Sequence, residues 1–215
     1  MPTPAPDGAS PSSNDLALNQ PGATLRQKSV EMRKSHPVLL PLPRPFGIHN
    51  DGRAWRRGAQ GEEAVGRQLR KQGECRRVIH NVSFGKNDVD IGYVVIGSPG
   101  VFVLNTKNHL GGRVVAFTSA IYVNGERQTY LAKSLAEGRR ATKLLRSACG
   151  MDVQVNPVID IMASELSFIG SPPEFVNVVA EKGIVKWLEN QVPLLNPSKV
   201  ERIHEVARSR STRVS

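Results

Sequence analysis

From about residue 55 onward, the spacing of apolar positions switches between two periods: two residues, as in half-buried strands, and three to four, as in helices. Residues 61–72 are predicted as a helix, with Val65 and Leu69 on one stripe and Glu62 at the top of that stripe. A strand is expected over 78–82. Runs 89–96 and 101–106 flank Gly97-Ser98-Pro99-Gly100 and read as a hairpin. Short strands follow over 113–117 and 121–123, and Asn124-Gly125 is a tight-turn signal. Residues 131–148 form a second helix, carrying Leu131, Leu135, Leu144, Leu145 and Ala148 and closed by Gly150. Two further strands are expected over 153–162, interrupted at Pro157, and over 175–180. Helices over 183–190 and 197–208 complete the pattern, with Asn196 as N-cap and Pro197 as first helical residue of the last. This order predicts an α/β domain: a central mixed β-sheet flanked by helices.

The pattern does not extend to the start of the chain. Residues 1–23 are rich in Pro, Ala, Ser and Gly, contain no Lys or Arg, and are expected to be disordered. Residues 26–57 are basic, and the prolines of the HPVLLPLPRPF segment forbid a helix there. We read this stretch as a solvated leader in preference to a nucleic-acid contact. The expected organisation is a leader over 1–53, a folded domain over 54–190, and a C-terminal helix with a basic tail over 191–215.

Composition changes the picture in one respect. Lys and Arg outnumber Asp and Glu by 29 to 19, a net charge of +10, which favours polyanionic partners such as nucleic acid. Cys75 and Cys149 form no CxxC, so neither a disulfide framework nor a zinc ribbon is available. The N-terminus has no secretory signal pattern, and no apolar run approaches a membrane span. A cytoplasmic protein without membrane contact is expected.

The chemistry concentrates in NDVDIGYVVIGSPGVFVLNTKN, residues 87–108. Side chains two apart in a strand share a face, so Asn105 and Lys107 point the same way, as do Asp88 and Asp90. Hairpin pairing sets Asp90 against the Asn105/Lys107 end, gathering a carboxylate, an amide and an ammonium. Phosphodiester hydrolysis needs a hard cation, and Mg²⁺ takes one or two carboxylates plus carbonyl and water oxygens. Asp90 supplies a carboxylate and Lys107 a cation. Glu62 supplies a second carboxylate from the inward side of its helix. Asp88 is read as a turn or outer carboxylate, and Glu63 as facing solvent.

These residues carry a family resemblance. Gly58-Ala59-Gln60-Gly61-Glu62-Glu63, Asp88-Val89-Asp90, and Gly100 to Asn108 followed by Gly111 resemble the nuclease-related domain (NERD) family, over about residues 55–190. That family is grouped with the PD-(D/E)XK restriction-endonuclease-like fold. The resemblance implies a restriction-endonuclease-like core and a metal-dependent nuclease using Mg²⁺ or Mn²⁺ on DNA or RNA. Glu62, Asp90 and Lys107 match its helix Glu, strand Asp and the Lys of its E-x-K element. Asn105 stands where the pattern expects Glu or Asp, and Ile91 where many relatives carry His. Asn still offers a carbonyl oxygen but brings no charge. Three readings therefore compete: a nuclease with Glu62, Asp90 and Asn105 on the metal and Lys107 at the reacting water, a nucleic-acid-binding module weakened in turnover, and a fold-only interaction protein with the basic leader as its contact element.

Other candidates carry less. His80 and His109 are read as structural or solvated, and Gly97–Gly100 as hairpin punctuation instead of a phosphate loop. Arg139, Arg140, Lys143 and Arg146 form a basic helix face; Arg139, Arg140 and Lys143 are the candidate contacts to a phosphate backbone.

Overall fold

A computed structural model describes residues 15–18, 20, 21, 26, 30, 51–70, 76–83 and 90–209. Its elements are α1 (Asp51–Arg70), β1 (Arg76–Ser83), β2 (Asp90–Gly97), β3 (Gly100–Phe117), β4 (Ile121–Val123), β5 (Glu126–Gln128), α2 (Tyr130–Cys149), β6 (Val155–Ile169), β7 (Asn177–Ala180), α3 (Ile184–Glu189) and α4 (Pro197–Arg208). A short 3₁₀ turn (Leu16–Leu18) precedes α1, and another (Glu181–Gly183) links β7 to α3.

The described strands form one seven-stranded mixed sheet. Strands β1 to β5 run antiparallel in sequence order, while β6 lies parallel to β3 and β7 parallel to β6. A parallel return needs a crossover element, and α2 provides it. Strand β3 is the spine. It pairs with β6 along nearly its whole length, and at its start with β2 through the Gly97↔Gly100 hairpin.

Strand alternation decides which helix covers which face. Val94, Ile96, Val101 and Val103 pack with Ala141 and Leu145 of α2 and with Ile203 and Ala207 of α4. Tyr93, Val95, Phe102 and Leu104 pack with Val65 and Leu69 of α1 and with Ile184 and Leu188 of α3. Each fully buried aliphatic side chain of this kind contributes about 1.5–3 kcal/mol.

Several expected boundaries move. The first helix begins ten residues earlier than its apolar stripe, because Gly52, Gly58 and a run of arginines conceal its first turns. The expected strands over 101–106 and 113–117 are one strand bent at a bulge between His109 and Arg113, where Gly111 adopts a φ of 83°. Pro157 does not interrupt β6: its register partner is Val103, while the ladder to β7 starts only at Val158, so its missing N–H falls outside that pairing. Asn124 and Gly125 adopt positive φ, as a two-residue hairpin requires.

Described residues of the leader touch the domain. Leu16 is buried in the α2/α4 core, and Asp15 pairs with Arg208 and bridges to Ser209. Glu63, expected to face solvent, is half-buried and ion-paired with Arg26. Among the described residues no helix is long and apolar enough to cross a membrane.

Candidate active site

The sheet splits where the polar residues begin. Strand β2 stays on β1 down to the Ser83↔Asp90 pair, but its ladder with β3 ends at Tyr93↔Leu104. The ladder between β3 and β4 starts only at Val114↔Val123. Asn105, Lys107 and His109 therefore lie along a stretch of β3 whose edge neither β2 nor β4 covers. The outcome is a notch in the sheet, floored by β3.

Asn105 and Lys107 continue the alternation of Val101 and Val103 and so face α2. The Asn105 side-chain amide donates to Oε2 of Glu137 on α2 at 3.2 Å. Lys107 places its Nζ 5.1 Å from the centre of the Tyr130 ring, at the start of α2. The same ring stacks on His109, with the hydroxyl 3.1 Å from His109 Nε2. His109 thus has an aromatic partner beside Lys107, whereas His80 is a buried residue of β1 set edge-on to Tyr93.

Glu62 reaches the notch from α1, on the other side of the sheet. Helix α1 approaches closely because Gly61 has no side chain: a Cβ there would lie 3.2 Å from Thr106 Cγ2 and from Asn108 Cβ. The Glu62 carboxylate is buried, as its place on the inward stripe requires.

Burial dominates the electrostatics. It pushes the Lys107 ammonium below the usual lysine range; Glu137 opposes this most, Lys133 adds to it, and Glu62 opposes it more weakly. Glu137 is pushed up by burial and held back by the Asn105 amide, then by Lys107, Arg140 and Lys133. Lys133 and Arg140 flank Glu137 one turn away on either side along α2. Arg139, Arg140 and Lys143 are exposed on that helix, while Arg146 is engaged with the Val153 carbonyl and Asp152.

The structure thus brings Asn105, Lys107 and Glu62 to one notch. Asp90 is placed on β2 by its pairing with Ser83, but its side chain lies outside the described residues, as does all of Asp88. Glu137 and Tyr130 are site residues that sequence periodicity does not single out. Their signal is present but weak: α2 buries Ser134, Glu137, Gly138, Ala141, Leu145 and Cys149, a stripe that shares only Leu145 with the apolar positions read from the sequence.

Residues 57–162 match the Nuclease-related domain (NERD) family. No curated protein and no solved structure shows significant similarity to the chain. The matched segment runs from the middle of α1 into β6 and contains the notch and every side chain described around it. Residues 57–162 of this chain are a nuclease-related domain.

Proposed function

We propose that the chain hydrolyses phosphodiester bonds of DNA with Mg²⁺ or Mn²⁺ as cofactor. The observation that carries this reading is the grouping on one stretch of β3 of Asn105, hydrogen-bonded to Glu137, and Lys107, set over Tyr130, with the cationic face of α2 alongside and both Glu137 and Glu62 acting electrostatically on Lys107.

Among the described residues no group of three His, Cys, Asp or Glu side chains is arranged to hold a metal. The donor set is nonetheless of the kind a hard cation takes: carboxylate and amide carbonyl oxygens, with water completing the shell. Glu62 and the Asn105 carbonyl would hold it, joined by Asp90 through its match to the family motif. Gly92, having no Cβ, lets the Glu62 carboxylate lie against β2. When bound, the cation supplies Lewis acidity toward the phosphate and lowers the pKa of an attacking water.

This chain's residues do the rest. Lys107 donates hydrogen bonds to the water or to the phosphate oxygens that gain charge, in a site dry enough for that interaction to count. Tyr130, over which Lys107 lies, fixes the direction of the ammonium. Arg140, Arg139 and Lys143 hold the phosphate backbone alongside.

Nicking of plasmid DNA by the full chain tests this, with an EDTA lane and Asp90→Ala as controls. Metal-dependent nicking that Asp90→Ala abolishes is expected. The charge missing at Asn105 favours one other reading, a binding module on this fold. Salt-sensitive DNA retention without cleavage would establish it instead.

A further inference from the structure

We propose that Glu137 supplies the cation-binding carboxylate that β3 lacks at Asn105, acting from α2 across the Asn105 amide. This rests on the reading of the notch as a cation site, and it adds a ligand that neither the sequence motifs nor the family match assigns.

Three observations meet at Glu137. First, it is only 3 % exposed, on a helix stripe otherwise made of small and apolar residues. Placing a carboxylate there is expensive unless it is paired, and the pairing it has is to the Asn105 amide, with Lys107, Arg140 and Lys133 acting on it. Second, its hydrogen bond is to Asn105, the one motif position where this chain has an amide in place of an acid. Replacing a carboxylate by an amide at 105 converts an acceptor into a donor on one side. The amide nitrogen turns toward Glu137, so this bond does not use the Asn105 carbonyl oxygen, and a formal negative charge stands one hydrogen bond further back. Third, Glu137 is the carboxylate acting most strongly on Lys107, ahead of Glu62, so it occupies the electrostatic place that an acid at 105 would hold beside that lysine.

A carboxylate has four lone-pair positions, and the Asn105 amide takes one. The remainder can meet a cation in the notch, directly or through one of its waters. Cation affinity in oxygen sites follows the number of charged ligands, so Glu137 offsets the charge missing at Asn105.

The test is Mn²⁺ binding to the full chain, followed by titration calorimetry and by electron paramagnetic resonance of the free ion, without DNA. Glu137→Gln is expected to weaken Mn²⁺ binding at least tenfold. Asn105→Glu combined with Glu137→Gln moves the charge back to the strand and is expected to restore binding to within a few-fold of the native chain. Circular dichroism in EDTA establishes that each variant is folded; if Glu137→Gln alone is not, the double variant decides. Unchanged Mn²⁺ affinity in folded Glu137→Gln, or no restored binding in the folded double variant, overturns the role of Glu137 while leaving the cation site intact. A native chain that binds no Mn²⁺ overturns the cation site itself, and this inference with it.

Discussion

The carboxylate of Glu62 lies 3.5 Å from the point where a Cβ on Gly92 would stand, and that same point is 3.3 Å from the Leu104 carbonyl oxygen. A residue on α1 and a residue on β2 thus share one volume, and glycine is what lets the carboxylate occupy it.

Gly92→Val is therefore expected to displace Glu62 from the notch. Its branched side chain needs the space that the Glu62 carboxylate and the Leu104 carbonyl now fill. Small displacements of a catalytic group cost on the order of tenfold to a hundredfold in rate. Cleavage should fall by at least about tenfold, with the chain still folded by circular dichroism. Full activity in a folded Gly92→Val variant would show that Glu62 is not needed where it stands.

Lys107→Met keeps the length of the side chain and its packing over Tyr130 but removes the ammonium. Removing one group that stabilises transition-state charge costs about a hundredfold to a thousandfold. Single-turnover cleavage should drop by that order while DNA retention in a gel shift changes little. A parallel loss of DNA binding would assign Lys107 to ground-state phosphate binding instead.

The exposed cations of α2 are separable from chemistry. Replacing Arg139, Arg140 and Lys143 together by Ala should weaken DNA binding uniformly across sequences. The slope of log affinity against log salt should become shallower by about 0.9 for each duplex phosphate that the variant no longer neutralises. An unchanged slope would place the nucleic-acid interface elsewhere, with the basic leader as the next segment to test.

Asp160 gives a pH dependence of stability. Burial first, and then the neighbouring Glu181 carboxylate, raise its carboxyl from 3.8 to about 8, against the lowering effect of the Thr106 hydroxyl that donates to it at 3.3 Å. The folded chain thus keeps a proton that the unfolded chain releases near 3.8, so its favourable contribution is complete below that pH and is lost as pH rises through about 8. The melting temperature should fall as pH rises from about 4 to about 8 and level off above, and Asp160→Asn should flatten that fall. Lys107 titrates with the opposite sign at alkaline pH, because its folded pKa is lowered, so the difference between the native chain and Asp160→Asn is the quantity to read.

Much of this is legible in the sequence, where the signal is local. Asn196 accepts from the Lys199 backbone N–H at 2.9 Å and Pro197 opens α4, as their residue types alone require. The grouping of Asn105 with Lys107 follows from strand periodicity. Three things are hidden, each for a physical reason. The start of α1 lies among glycines and arginines, which carry no apolar stripe. The joining of two expected strands into β3 depends on β6, a partner far along the chain that bridges the bulge at Gly111. Glu137 stands beside Ser134, Gly138 and Ala141 on the buried stripe of α2, and small residues such as these give little hydropathy signal.

The split in the sheet has a mechanical meaning. The β1–β2 and β4–β5 pairs both hang from one edge of β3 but not from each other, so either can yield without tearing the other's ladder. Cooperative opening units often follow such supersecondary boundaries. The β3–β6 ladder holds Asn105 and Lys107 as a fixed rail, and the two strand pairs are jaws whose separation sets the width of the notch above it.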